Sequence, residues 1–368
     1  MPTKDVLVTL MSAISELVKG ELMGASSLSS LMYITATVYL SLGFVFAQNQ
    51  DPKEFRSYYG KTFNSMISAQ VRFQKNTPNA RFIPTIDPEV LRDEMFRVLS
   101  LNHIEKADQG FDAIVTSCSA NSSTSEHICY KHDKNDYTYS RGIIYNDLDK
   151  QEANKVVSTD FVVDVYCQQV FKFPSNRSNI SRTGDTNSRG GFQNSRSSSS
   201  NVNSVWPAPQ NLINVLQPVG DINIEHTWPQ SRFTGQFSKE LQKGDLHHLF
   251  PSNGKINGIR GNHPFGEVER EDSGIANCPS VLGYDKDGDQ VFEPVDNHKG
   301  NVARALFYFS VRYQIAISPS EEMLLRQWHK LDPVDDAERE RNNKIFKIQK
   351  NRNPFIDFPE VVSAIHDF

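Results

Sequence analysis

Residues 223–267 read NIEHTWPQSRFTGQFSKELQKGDLHHLFPSNGKINGIRGNHPFGE and are unusually dense in His, Asn, Arg and acidic side chains. Glu225 and His226 are adjacent near the start of this stretch, and Asn257 follows towards its end. On a regular strand two neighbouring side chains point to opposite faces, so only a strand end or a bulge lets Glu225 and His226 address one centre. That geometry suits a carboxylate on a metal beside an imidazole on water.

These residue types match the needs of phosphodiester hydrolysis. An imidazole with a pKa of roughly 6.5 can take a proton from the attacking water near neutral pH. A hard divalent cation on Glu225 and Asn257 would neutralise charge on the pentacovalent phosphate and on the departing 3′ oxygen, with one arginine as a second cation. The stretch therefore predicts a Mg²⁺ site, with Mn²⁺ or Ca²⁺ as alternatives.

Patterns outside this stretch predict an α+β fold. Asp87–Leu101 carries apolar residues at helical spacing, with Asp87 and Pro88 suited to the N-cap and first turn. Residues 161–171 are β-branched and aromatic, which predicts one buried strand of a central sheet. Helical patterns follow at 301–313, at 320–329 with Ser320 as the cap, and at 337–349.

The N-terminus carries an apolar segment. Leu28–Ala47 has no charged residue and is long enough to span a bilayer as a helix, while Val45-Phe46-Ala47 suits a signal cleavage site. We interpret residues 1–47 as a cleaved signal peptide, with a membrane anchor at 28–47 or a buried helix as alternatives. This predicts a secreted or periplasmic protein whose single domain covers 48–368.

Composition limits the partners and the redox state. The 39 Lys+Arg and 44 Asp+Glu give a net charge of −5, which excludes a histone-like protein that binds nucleic acid by bulk charge. Four cysteines are too few for a disulfide scaffold, and they leave one or two bridges and their pairing open.

Residues 174–204 contain ten Ser and six Asn and almost no apolar side chains. Such a segment cannot bury enough surface to offset the entropy of ordering. We interpret it as a disordered insertion within one domain. The alternative is an arginine-bearing arm that contacts phosphates.

Four stretches carry a resemblance to a known family: IEHTWPQS, GDLHHLFPSNGKINGIRGNHPFGE, KGNVARALFYFSVRY and IQKNRNPFIDFPE. They resemble the bacterial endonuclease I family, secreted or periplasmic nucleases with a ββα-metal (His-Me finger) site. The resemblance runs from Tyr58-Tyr59-Gly60 to Phe358, through Val165-Tyr166-Cys167, and is interrupted by the insertion. It implies a ββα-metal core with a mixed sheet and surrounding helices. Gly261 departs from the serine that family members commonly carry.

The resemblance also implies roles for individual residues. Glu225 and Asn257 would be the protein ligands of the metal, His226 the general base, and Arg260 a contact to DNA or the scissile phosphate. Arg232 and Asn262 are weaker candidates for nucleic-acid contact. His247 and His248 are also weaker candidates. We expect one of these two histidines to orient the site and the other to be structural, with direct metal ligation as the alternative.

The predicted function is a metal-dependent, largely sequence-nonspecific endonuclease that acts on DNA, or on RNA. The resemblance to the family implies that its products carry 5′-phosphates. We expect a monomer without a dedicated protein partner. Residues 225–270 hold nearly equal numbers of basic and acidic side chains, which predicts modest, salt-sensitive phosphate binding. The rival is a catalytically inactive envelope module that binds nucleic acid or a protein partner on the same fold.

Two other metal motifs are excluded. The zinc-protease pattern His-Glu-x-x-His does not occur. Residues 285–289 (DKDGD) lack the 12-residue spacing of a calcium loop, so they predict a hairpin turn.

Overall fold

The computed structural model describes residues 58–69, 86–104, 113–118, 129–152, 160–172, 216–217, 222–273, 275 and 277–368. The predicted signal or anchor at 1–47 and the predicted insertion at 174–204 lie outside these residues. Within the described part of the chain, no helix is both long and apolar enough to cross a membrane.

Nine α-helices are present in the described residues. They are α1 (58–69), α2 (Pro88–Leu99), α3 (Tyr137–Ile143), α4 (Lys239–Lys243), α5 (Gly254–Arg260), α6 (Asp296–Tyr313), α7 (Pro319–Leu331), α8 (Asp336–Gln349) and α9 (Pro354–Asp357). The start of α2 confirms the prediction, because the Asp87 carboxylate caps the helix by accepting the N–H of Glu89 at 2.9 Å.

The C-terminal helices form where the pattern predicts them, with two differences. Helix α6 begins at Asp296, five residues before the predicted start, because Lys299 pairs with Glu267, Glu293 and Asp296 and so ties a charged first turn to the fold. Helix α7 is capped by Ser318, whose hydroxyl accepts the N–H of Glu321, so the predicted Ser320 cap is wrong.

The strands form four small sheets and no central one among the described residues. They are β1 (Asn102–Ile104), β2 (Ala113–Ile114), β3 (Cys129–Lys131), β4 (Phe161–Val163), β5 (Val170–Lys172), β6 (Leu216–Gln217), β7 (Ile222–His226), β8 (Leu249–Asn253), β9 (Arg270–Ser273), β10 (Val281–Tyr284) and β11 (Gln290–Glu293). The sheet orders are β2-β1-β3, β4-β5-β6, β11-β10-β9 and β7-β8, and only β5 and β6 pair in parallel. Mixed pairing and separate helices make this an α+β fold.

The predicted single strand at 161–171 is wrong, since β4 and β5 pair antiparallel across a turn. The turn forms because the Asp164 carboxylate accepts the backbone N–H groups of Tyr166 and Cys167. The hairpin predicted at DKDGD is confirmed, since residues 285–289 join β10 to β11 and Asp285 accepts the N–H groups of Asp287 and Asp289.

Helix α6 lies at the centre of the packing. Its side chains are buried around most of its circumference and pack with α1, α2, α7 and the C-terminal segment in one apolar cluster. A second cluster, containing Ile144, Ile224, Leu246 and Leu249, lies beneath β7 and β8. These two clusters fix the position of the β7–β8 pair on the helical layer.

All four cysteines are paired, as Cys118–Cys129 and Cys167–Cys278. The second bridge spans 111 residues and the first only 11. In the chain-entropy model, removing the long bridge costs about 4–5 kcal/mol of unfolding free energy and removing the short one about 3 kcal/mol. We therefore expect the double variant Cys167→Ser/Cys278→Ser to lose more stability than Cys118→Ser/Cys129→Ser in urea unfolding. An equal or reversed order would contradict this assignment.

Candidate active site

The candidate site is built on two antiparallel strands and the helix that follows them. Strands β7 and β8 pair without a bulge from Ile222 opposite Asn253 to His226 opposite Leu249. Helix α5 begins directly after β8, where the Asn253 side chain accepts the N–H groups of Lys255 and Ile256. Glu225 and His226 are therefore the last two residues of a regular strand.

Glu225 lies on the face of β7 that α5 covers. Its side chain is 1% exposed, and Oε1 accepts a hydrogen bond from the Tyr166 hydroxyl at 2.8 Å and lies 3.1 Å from Nη1 of Arg260. Asn257 on α5 donates from Nδ2 to Oδ1 of Asn223 at 2.8 Å and to the carbonyl of Ile224 at 3.0 Å. Because Asn223 and Glu225 are two residues apart, they share a face, and α5 brings Asn257 to it.

Two oxygen atoms on this face are suited to a hard cation. Neither Oε2 of Glu225 nor Oδ1 of Asn257 takes part in a hydrogen bond with another described residue. Carboxylate and amide oxygens are the donors that Mg²⁺ and Ca²⁺ prefer. Burial raises the pKa of Glu225, an effect that Arg260 and the Tyr166 hydroxyl oppose, and a cation would further favour the ionised carboxylate.

No group of three or more His, Cys, Asp or Glu side chains in the described part of the chain could hold a metal ion. A cation at Glu225 and Asn257 would therefore have two protein ligands and depend on water and substrate for the rest. That is the donor set which the sequence predicts for this site.

His226 points to the other face of β7 and is held as a neutral imidazole. Its Nε2 lies 3.2 Å from the carbonyl of Lys243, and a carbonyl only accepts, so Nε2 carries the proton and Nδ1 the lone pair. Nδ1 lies 3.4 Å from the amide nitrogen of Gln230. Burial, with a smaller contribution from His248, lowers the pKa of His226 well below 6.5 and keeps the imidazole neutral.

Arg260 lies in the interior beside Glu225, and its contact with DNA or the scissile phosphate stays a prediction. Its guanidinium is buried, with Nη1 3.2 Å from the carbonyl of His226 and Nη2 2.8 Å from the carbonyl of Thr227, beside the ion pair with Glu225. It also lies 4.4 Å over the ring of Phe265. Nη1 and Nη2 of Arg260 thus hold Glu225 and the end of β7, while its Nε has no hydrogen-bond partner among the described residues.

Of the weaker candidates, only His248 contacts the proposed base. Its ring centroid lies 5.4 Å from that of His226, and its Nε2 lies 2.8 Å from the carbonyl of Gln242. His247 packs its ring 4.5 Å from Tyr308, away from both metal-ligand candidates. His248 thus lies next to His226 and His247 against Tyr308, and the orienting and structural roles expected of this pair stay predictions.

The two weaker candidates for nucleic-acid contact, Arg232 and Asn262, differ in their surroundings. Arg232 is partly exposed, but its Nη2 lies 3.1 Å from Oε2 of Glu321 and its guanidinium covers the ring of Trp228. Asn262 is exposed in the turn after α5. Gly261, between α5 and Asn262, has a φ of 54°, which glycine adopts more easily than serine, so the departure from the family pattern has a backbone reason.

Sequence reasoning missed two residues of the site. Tyr166 holds Glu225, and its own backbone is fixed by the hydroxyl of Ser280 at 2.7 Å and by the neighbouring Cys167–Cys278 bridge. Its signal was the Val165-Tyr166-Cys167 motif. Lys243 holds His226 through a backbone carbonyl, and no side-chain pattern encodes such a contact.

A buried carboxylate fixes the loop between α4 and β8. Asp245 accepts hydrogen bonds from the hydroxyls of Tyr308 and Tyr313 and from the amide of Gln349, and Arg312 lies 3.1 Å from its Oδ2. Burial raises the pKa of this carboxyl, but the Arg312 guanidinium, the two neighbouring histidines and the hydrogen bond from Gln349 together outweigh burial and lower the pKa to about 2. Asp245 therefore stays ionised and anchors the loop that carries Lys243 to helix α6.

Comparison with known proteins supports the family that the sequence motifs indicate. The family model described as Endonuclease I matches residues 123–360, more than half of the chain. The chain is 41% identical over 166 residues to an extracellular ribonuclease of Bacillus subtilis, covering 40% of this chain and 54% of that protein. It is 34% identical over 115 residues to an extracellular deoxyribonuclease of Aeromonas hydrophila, covering 31% of this chain and 49% of that protein.

A third relative is Endonuclease-1 of Buchnera aphidicola, 32% identical over 114 residues, with 31% of this chain and 44% of the relative covered. The chain thus spans about half the length of the curated relatives it matches. The matched region of the family model contains β7, β8 and α5 and every candidate site residue described above. The chain belongs to the endonuclease I family.

Proposed function

We propose that this protein is a secreted or periplasmic, metal-dependent endonuclease that hydrolyses phosphodiester bonds of DNA with little sequence preference, and of RNA as an alternative substrate. In this proposal β7, β8 and α5 form a ββα-metal site. The observation that carries it is a neutral, oriented imidazole adjacent in the strand to a carboxylate that shares its face with an amide oxygen. Relatives named as extracellular nucleases of both RNA and DNA support the reaction class and the location.

His226 acts as the general base. Its Nδ1 accepts a proton from the water that attacks the phosphorus, while the Lys243 carbonyl keeps the other proton on Nε2. The P–O3′ bond then breaks, so the oxygen of the attacking water stays on a 5′-phosphate.

Glu225 and Asn257 hold the divalent cation, for which Mg²⁺ is the proposed species. When bound, it supplies positive charge to the pentacovalent phosphate and to the departing 3′ oxygen. Tyr166 and Arg260 fix the Glu225 carboxylate from two sides, so that the ligand is oriented before substrate arrives. Because Glu225 and His226 point to opposite faces, the phosphate lies at the end of β7, where both side chains can reach it.

Nicking of supercoiled plasmid by the purified full chain tests this function. We expect conversion to nicked and then linear forms with Mg²⁺, complete loss of cutting in EDTA, and recovery when Mg²⁺ is added in excess, because the phosphate charge is otherwise unneutralised. A labelled RNA of matched length, run in parallel, measures substrate preference. Binding of the plasmid without any turnover across Mg²⁺, Mn²⁺ and Ca²⁺ would overturn the enzyme assignment in favour of a binding module.

A further inference from the structure

Because Arg260 is buried, the side chain that contacts the phosphates of a bound strand near His226 still has to be identified. A strand of nucleic acid that reaches His226 brings several phosphates, and positively charged side chains are what fix its register. Arg260 is enclosed and bonded to Glu225 and to the carbonyls of His226 and Thr227. Arg232 is paired with Glu321. A positively charged side chain that binds a phosphate beside His226 is therefore sought among other residues.

Lys243 is a lysine near His226, and the ring of Tyr137 lies against both side chains. Its Nζ lies 4.6 Å over the ring of Tyr137, and that ring lies 5.1 Å from the imidazole of His226, tilted by 33°. Among the described residues, no carboxylate forms an ion pair with this ammonium, and no acceptor hydrogen-bonds to it. It is half-buried, so one side is open to an approaching ligand.

The backbone of this lysine is fixed against the base. The Lys243 carbonyl contacts Nε2 of His226, and the next carbonyl, that of Gly244, accepts the hydroxyl of Ser140 at 2.6 Å. A Cβ on Gly244 would overlap the carbonyl oxygen of Asn135, so only glycine allows this approach. The start of α3, with Tyr137, and the end of α4, with Lys243, are thereby held together around His226.

We propose that Lys243 binds a backbone phosphate of the strand being cut, with the Tyr137 ring holding the ammonium in place. The inference rests on the proposed nuclease function. A cation over an aromatic face is held only weakly at a partly exposed site, and the ring does not satisfy an N–H donor as an oxygen acceptor does. The N–H groups that point away from the ring can therefore donate to a phosphate, which a lysine contacts as a compact point charge.

The test compares Lys243→Gln with Lys330→Gln, which removes an equal charge from an exposed position of α7. Both keep the backbone carbonyl at 243, so His226 stays oriented. We expect Lys243→Gln to raise KM about fivefold near 0.15 M salt and to lower the slope of log affinity against log salt by about 0.9 for duplex DNA. We expect kcat to change less than about twofold, since the base and metal ligands are intact.

Binding of a short labelled duplex in EDTA, measured by fluorescence anisotropy, gives the salt slope without turnover. Tyr137→Phe keeps the ring and should bind like the wild type, whereas Tyr137→Leu should weaken binding in the direction of Lys243→Gln. Equal slopes and KM values for Lys243→Gln and Lys330→Gln would overturn the proposal, as would a fall in kcat at constant KM. Failure of the wild type to cut at all would instead overturn the nuclease function, while the slope would still decide the role of Lys243.

Discussion

Replacing His226 with alanine is expected to lower the rate of plasmid cutting by about 100- to 10,000-fold, the usual contribution of a positioned general base. The neutral imidazole is the group in the site that can take a proton from water near neutral pH, since the Glu225 carboxylate is engaged by Tyr166 and Arg260. The measurement is a single-turnover rate with saturating enzyme, so that a change in substrate affinity does not enter the comparison.

His366→Ala is the matched control, because this side chain is 79% exposed and, among the described residues, hydrogen-bonds only to Asp367. It should cut at the wild-type rate. Circular dichroism and thermal unfolding of His226→Ala establish that the variant is folded. A folded His226→Ala protein that cuts as fast as the wild type would show that another group is the base.

The second large effect is a loss of stability in mild acid. Burial lowers the pKa of His103 and His248 to about 4 and that of His247 and His298 to about 3. The unfolded chain takes up these protons below a pH of about 6.5, before the folded chain does, so stability present above that pH is lost as the pH falls towards the folded values. At pH 5 each such histidine costs about 2 kcal/mol.

Buried carboxylates offset part of this loss. Burial raises the pKa of Asp164, Glu225 and Glu338, so these groups gain a proton more easily in the folded chain. The histidines are more numerous, and we expect a net loss on the order of 5 kcal/mol between pH 7 and pH 5, comparable to the whole stability of many domains. Urea unfolding at the two pH values measures it, and equal stability at both would contradict the prediction.

A single histidine isolates the effect. His298 packs against Phe250 with its ring centroid 5.0 Å away, and its Nε2 has no hydrogen-bond partner among the described residues. His298→Gln removes its titration, so the difference in unfolding free energy between pH 7 and pH 5 should shrink by about 2 kcal/mol. His366→Gln, at the exposed position, should leave that pH difference unreduced.

Helices were the more predictable part of the fold. Their periodicity and caps are local properties, and α2, α6 and α8 lie close to where the pattern places them. The sheets depend on contacts between distant residues. The apolar run at 161–171 looked like one strand because its turn is made by hydrogen bonds to Asp164, and a carboxylate inside an apolar run does not reveal that it caps a turn.

The candidate site was predictable as a set of residues but not as a set of contacts. The motif brings Glu225, His226 and Asn257 to one strand–strand–helix unit, as expected. The sequence could not show that Arg260 turns inward, because an arginine at the end of a helix can bind a phosphate as well as a buried carboxylate. Nor could it show the tautomer of His226, which depends on a backbone carbonyl at the end of α4.

In the proposed mechanism, the His226 imidazole itself is the base of a metal-dependent nuclease. Chemical rescue tests it most directly: single-turnover plasmid nicking by His226→Ala in Mg²⁺, with increasing free imidazole. We expect negligible cutting without imidazole, a rate that rises with the concentration of neutral imidazole, and no cutting in EDTA at any imidazole concentration. Cutting by His226→Ala at the wild-type rate without added imidazole would contradict the assignment of His226 as the base.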